Sequence, residues 1–227
     1  MKKPVATIGV ALAAISLGLG LVGCGKDSKS DDKTTTSTST STSTSTTTTT
    51  TSAQPSSFES FDDYLKANKI GETIVHHDTP GAPVIDLPVP AGWSQLPESE
   101  DAPYGGIVLD APADPNDPAN FRALLEKLSG NFNTDELLAA SVSDLRSQQN
   151  FDGGEGQKST LGGYPAYQIL GSYTKDGAQR IGAQKTVIIE GKDGMYLLAL
   201  IGRGPEADSD AIRQATAVVD EKTTITP

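Results

Sequence analysis

The sequence predicts an α+β fold: one antiparallel sheet with helices packed on it. Three observations point there. From Tyr164 onward, the strand-like runs Tyr164 to Thr174, Arg180 to Ile189 and Met195 to Gly202 are separated only by Lys175-Asp176-Gly177 and Gly191-Lys192-Asp193-Gly194. Both are turn sequences with a glycine able to take positive φ, so neighbouring runs pair as hairpins. Helical spacing with a capping residue recurs near Ser57, Thr134 and Ser209, and helices need a sheet face to bury their apolar side. Finally, the part of the chain able to form a core is residues 58–227, the usual size of a single domain, with no internal repeat or second boundary.

In chain order, Ser57 caps a predicted helix that carries Phe58, Phe61, Tyr64 and Leu65 on one face and ends near Asn68 and Gly71. Glu72 to His77 reads as a short strand, and Val84 to Leu87 as a second. The second stops at Pro88-Val89-Pro90-Ala91-Gly92-Trp93, where prolines deny the backbone further donors. Gly105 to Asp110 is another strand, followed by a proline-rich loop from Ala111 to Pro118. Phe121 to Leu128 suits either period and is read as strand because it lies among strand-like pieces. Thr134 to Gln148 is read as one helix: Thr134 caps it, Asp135 and Glu136 favour its dipole, and Leu138, Val142 and Leu145 share a side. Ser209 caps the last helix, with Ile212, Ala215, Thr216 and Val219 along one stripe.

Residues 1–23 read as a targeting segment. Lys2 and Lys3 form a positive start, Val5 to Val22 is an uncharged apolar run, and Leu21-Val22-Gly23-Cys24 closes it. That tetrapeptide resembles the lipobox of bacterial lipoproteins. A small Gly23 admits the signal peptidase, and the Cys24 thiol is the nucleophile that takes the diacylglycerol. An uncleaved membrane helix and an ordinary secretory signal are the alternatives. Neither explains why the single cysteine of the chain stands at that position. Residues 24–57 are then the acylated cysteine and a tether, with an unbroken Ser/Thr tract from Thr34 to Ser52. Such a tract buries nothing to offset chain entropy and is expected to be disordered. Gly25 to Ser57 should span about 30 Å root-mean-square, and its hydroxyls invite O-glycosylation.

Charge and cysteine content exclude several classes. The chain carries −11, and loss of Lys2 and Lys3 takes it to −13. An acidic surface argues against nucleic acid, which requires clustered cations, and against attraction to anionic headgroups. Attachment to a membrane is therefore expected through the lipid anchor. One cysteine permits no intrachain disulfide and no cysteine metal cluster.

The candidate chemistry is thin. His76 and His77 are the only histidines; on a strand they would face opposite sides and could not share a metal. Asp110, Asp114, Asn116 and Asp117 gather oxygen ligands, but Pro112, Pro115 and Pro118 make the segment a stiff turn. Gly153, Gly154 and Gly156 lack the Lys-Ser/Thr of a phosphate loop and read as a flexible loop. No catalytic residue, metal site or cofactor is expected. Trp93, Tyr104, Tyr164, Tyr167 and Tyr173 fall near strand ends and loops, and they are the candidate ligand- or partner-binding residues because each joins an apolar body to a polar tip. Tyr164 and Tyr167 should face opposite sides of one strand.

Several stretches resemble the LpqN/LpqT family of mycobacterial lipoproteins: His76-His77-Asp78, Asp86-Leu87-Pro88-Val89-Pro90 with Trp93, Ala102 to Val108, and Ala113 to Pro118. Gly171-Ser172-Tyr173, Ala183 to Val187 and Thr223 to Pro227 continue the likeness. The resemblance implies a PsbP-like α/β/α sandwich on an antiparallel sheet, strand for Phe121 to Leu128, a cell-envelope setting, and binding instead of catalysis. The expected protein is a non-enzymatic lipoprotein anchored on the extracytoplasmic face of the cell membrane, partly released, whose domain binds an apolar ligand such as envelope lipid, or an envelope or host protein. Two alternatives stand beside it. One is a hydrolase of envelope lipid or glycan using paired carboxylates such as Asp86 and Asp110; the other is a structural or host-facing surface lipoprotein.

Overall fold

The structure is a computed structural model and describes residues 58–227. Gly23, Cys24, the tether and the expected Ser57 cap lie outside the described residues. The elements are α1 (Phe61–Asn68), β1 (Gly71–Val75), β2 (Val84–Asp86), β3 (Trp93–Leu96), β4 (Gly106–Leu109), β5 (Asn120–Ser129), α2 (Thr134–Ala140), α3 (Ser143–Arg146), β6 (Gln157–Leu161), β7 (Tyr164–Lys175), β8 (Ala178–Gly191), β9 (Gly194–Pro205), α4 (Ser209–Lys222) and β10 (Thr224–Thr226).

One antiparallel sheet runs in the order β3-β4-β5-β9-β8-β7-β6. β1 shares an edge of β5 with β4, and β10 pairs with β2 in a separate ribbon. Helices cover both faces. On one, Ile212, Ala215 and Val219 of α4 pack on Phe121, Leu198, Ile181 and Val187. On the other, Tyr64 and Leu65 of α1 and Leu137 and Leu138 of α2 pack on Leu128, Leu197 and Ile188, while Val142 and Leu145 meet Ile169 and Tyr173. The α+β class and the sandwich are therefore as the sequence predicted. Coverage on both sides also explains why the middle of β8 is buried almost without alternation, as strands sandwiched between helix layers are.

The β7–β8 hairpin turns where Asp176 (φ 52°) and Gly177 (φ 77°) both take positive φ, as in a type I′ turn; the sequence had marked the glycine. Gly171 and Gly182 face each other across the same hairpin. A Cβ at Gly182 would lie 2.6 Å from Leu145 Cδ1, and one at Gly171 2.5 Å from Phe151. The missing side chains thus let the segment after α2 press onto the sheet.

The structure corrects several element boundaries. Ser60, not Ser57, caps α1, its Oγ accepting from the Asp63 N–H at 3.1 Å. The expected helix from Thr134 to Gln148 is two short helices, and its cap is Asn133, whose Oδ1 accepts from Asp135 (2.9 Å) and Glu136 (3.2 Å). The break has a local cause. The Ser141 and Ser143 hydroxyls donate back to the carbonyls of Leu138 (2.8 Å) and Ala140 (2.7 Å), and Gln184 of β8 donates to the Ser141 carbonyl at 2.7 Å; such back-bonding competes with the helical ladder. Ser209 is the first residue of α4, and Asp208 occupies the cap position without a capping bond, because its Oδ1 accepts from the Ala113 N–H at 2.9 Å. Strands β3, β6 and β10 were not expected. Trp93 opens β3, and β6 grows out of the glycine-rich stretch as a largely exposed, polar edge strand.

Ile212 is wholly buried and Ile74 is 54% exposed. Ile212→Ala should therefore lower unfolding free energy by about 2–5 kcal/mol in urea titration, and Ile74→Ala by less than about 1 kcal/mol.

Candidate functional site

The α4 face of the sheet is not filled everywhere. A cavity of about 470 Å³ lies between the C-terminal half of α4, strands β7 to β9, and residues 153–157; small-ligand sites typically occupy about 300–1,000 Å³. Strand register orders its floor. Gln168 of β7, Lys185 of β8 and Leu200 of β9 stand side by side, and the next row is Leu170, Ala183 and Gly202. A Cβ at Gly202 would lie 2.5 Å from the Phe121 ring, so the glycine makes room for an aromatic wall. Thr216, Val219 and Asp220 of α4 close the other side.

The glycine-rich stretch, expected to be only a loop, forms the rim. A Cβ at Gly153 would come within 2.4 Å of the Leu170 carbonyl oxygen, and one at Gly156 within 2.6 Å of the Tyr167 ring. Glycine here permits close approach to β7. Beside it, Glu155 pairs with Arg146 of α3 at 3.1 Å.

Lys185 is the residue that sequence reasoning missed. It occupies the inward phase of β8, in line with Ile181, Ala183, Val187 and Ile189, and is only 7% exposed. Its Nζ lies 2.6 Å from Asp220 Oδ1, a partner that an ammonium at this depth requires. The available signal was a lysine on the apolar phase of an otherwise apolar strand.

The five aromatic candidates are not brought together, and none lines this cavity. Trp93 is buried against Phe121, with ring centroids 5.6 Å apart. Tyr104 is buried, its hydroxyl accepting from the Ile85 N–H (3.3 Å) and donating to the Pro83 carbonyl (3.5 Å). Tyr164 packs with the α4-face core, while Tyr167 and Tyr173 pack on the opposite face, the opposition expected of Tyr164 and Tyr167. Tyr167 also donates to the Glu155 carbonyl at 3.5 Å.

The histidines depart from expectation. β1 ends at Val75, so the strand rule does not apply and both rings converge on Glu98. His76 Nδ1 lies 3.1 Å from Glu98 Oε2 and 3.0 Å from the Pro103 carbonyl. His77 Nδ1 contacts Glu98 Oε1, and its ring stacks on Tyr104 at 3.8 Å. These contacts, the His77 side-chain bond foremost, hold the Glu98 carboxyl below its ordinary range. Among the described residues, no group of three or more His, Cys, Asp or Glu is arranged to hold a metal ion. The oxygen-rich loop is tied up internally. Asp114 accepts from the Asn116 N–H at 2.9 Å, and Asp117 takes Arg180 through both carboxylate oxygens, which lowers the Asp117 pKa. Asp86 sits in the β2–β10 ribbon, and Asp110 follows β4 and accepts from Ser94. Neither lines the cavity.

A carboxyl pair does exist where the sequence did not flag one. Glu72 pairs in register with Leu128, and Ile74 with Glu126, so the two glutamates lie diagonally on one face and share a hydrogen bond. Burial first, then the Glu126 charge, pushes Glu72 up to about 7; burial also raises Glu126.

Helix layers on both faces of one antiparallel sheet, with a cavity under one layer, place the molecule among α+β sandwich domains. Residues 58–226 match the family model described as "Probable lipoprotein LpqN", and the chain belongs to that lipoprotein family, as its motifs implied. Lipoprotein LpqN of Mycobacterium tuberculosis (strain ATCC 25618 / H37Rv) is 46% identical over 166 residues, 73% of each chain. The crystal structure described as LpqN involved in cell envelope biogenesis of Mycobacterium tuberculosis superposes with a TM-score of 0.71 at 46% identity, covering 74% of this chain and 98% of that one. The solution structure of cyanobacterial PsbP from Synechocystis sp. PCC 6803 is a more distant neighbour, with a TM-score of 0.39 at 11% identity over 68% of this chain and 92% of that one.

Because the folded chain keeps the Glu72 proton that the unfolded chain releases, stability should fall as pH rises from the ordinary value of 4.5 to about 7. Glu72→Gln should raise the melting temperature near pH 8, by no more than a few degrees because the pair is open to screening solvent. Near pH 4 the difference should vanish. Thermal melts across that range check it.

Proposed function

We propose that this protein is a non-enzymatic lipoprotein of the cell envelope, held at the membrane through acylated Cys24, and that its domain holds an apolar chain in the cavity beneath α4. The observation that carries this reading is the cavity itself, with an apolar floor of Leu170, Ala183, Leu200 and Phe121 beside Gln168 and Lys185. The solved LpqN structure is described as involved in cell envelope biogenesis, and an apolar-chain carrier suits such a setting. The acidic charge, −13 once Lys2 and Lys3 are removed, leaves the acyl group as the attachment to an anionic membrane.

Two measurements test the reading. Native mass spectrometry of the chain purified from its own envelope should show, beyond the covalent acyl groups on Cys24, a lipid-sized adduct that dissociates on collisional activation. Ala183→Phe, which fills the floor while leaving the rest of the core, should reduce that adduct at least about fivefold. No dissociable adduct on the wild-type chain, or one indifferent to Ala183→Phe, would count against the cavity. Separately, radiolabelled palmitate should enter the wild-type chain and not Cys24→Ala; equal labelling would remove the anchor.

A further inference from the structure

The cavity has two chemically different ends. Gln168 and Lys185, side by side in one row, make that part of the floor polar, while the neighbouring row, Leu170-Ala183-Gly202, is apolar and leads to Phe121. A cavity graded in this way fits an amphiphile lying along the strands' length, and the cation at its polar end selects the head. Resting on the reading that the cavity takes an apolar chain, we infer that its ligand carries a single anionic head, carboxylate or phosphate, which binds Lys185.

The burial of the ion pair supplies the reason. The Lys185 side chain is 8% exposed and that of Asp220 is 34% exposed, so the two partners are not equally committed. Asp220 stands in the last turns of α4, next to solvent, and can rotate outward and be hydrated. Lys185 projects from the central strand β8 and cannot leave, and a buried ammonium demands an anion at all times. A ligand head can therefore take the place of Asp220 at modest cost, whereas no cationic head can replace Lys185. The remaining acid at the rim, Glu155, is already paired with Arg146 and opposes an incoming anion less than a bare carboxylate would. Gln168, in register beside Lys185, adds an amide donor to the same end. A point-charge ammonium does not distinguish carboxylate from phosphate, so the head is defined by charge.

The test uses residues 25–227, which lack both the apolar run Val5 to Val22 and the acylated cysteine, so that no detergent competes, titrated calorimetrically with decanoate, monodecyl phosphate and 1-decanol. Both anions should bind at least about tenfold more tightly than the alcohol. Lys185→Met should erase that preference. Asp220→Asn keeps the ammonium, removes its competitor and should tighten both anions about threefold or more; it decides the matter if Lys185→Met does not fold. Equal binding of alcohol and anions to the wild type, or anion affinity unchanged in Asp220→Asn, would overturn the anionic head and leave the apolar-chain reading in place. Binding of none of the three would end both. Decanoate binding without decyl phosphate, or the reverse, would assign the head to one of the two sources.

Discussion

The burial of β8 and β9 between two helix layers is the constraint on which the rest depends. Their inward side chains serve two cores at once, Ile181, Val187 and Leu198 on the α4 side and Ile188 and Leu197 on the other. Each such side chain contributes about 1.5–3 kcal/mol by leaving water, so the central hairpin ties α4 to α1 and α2 although those helices lie on opposite faces. The outer strands are shorter or more polar because only one side of them is covered. That difference is visible in β3 and β6, which end the sheet.

A sheet this firmly held can tolerate a local departure from close packing, and the cavity is one. Gly202 and Ala183 keep the floor low, and glycines at 153 and 156 bring the rim against β7. Small residues on rigid strands thus make a defined space instead of a collapsible one. The same rigidity explains how Lys185 stays buried: the strand cannot shift to release it, and α4 delivers Asp220 to meet it. On the far side, the β1–β5 register places Glu72 and Glu126 diagonally on one face, where burial and the neighbouring charge raise the Glu72 pKa.

What was legible in the sequence was local chemistry. Asp176-Gly177 carries its own turn geometry, hairpin strands declare themselves by alternation and turn spacing, and α4 shows its stripe of Ile212, Ala215 and Val219. The lipobox pattern and the family motifs are likewise linear features. Where two local signals competed, the reading failed. Ser57 and Ser60 are both capable caps, and Asn133 stands one residue before Thr134. Ser141 and Ser143 fit a helical stripe until their hydroxyls turn back on the carbonyls.

The sequence by itself determined the class of fold, its strands and helices in the main, and the family, because each rests on neighbours within a few residues. Only the tertiary structure decided that both histidines share Glu98, that Glu72 meets Glu126, and that Lys185 meets Asp220 under α4. Those pairings join residues up to 54 positions apart, across register and helix packing, and no periodicity along the chain encodes which side chains the folded layers bring face to face.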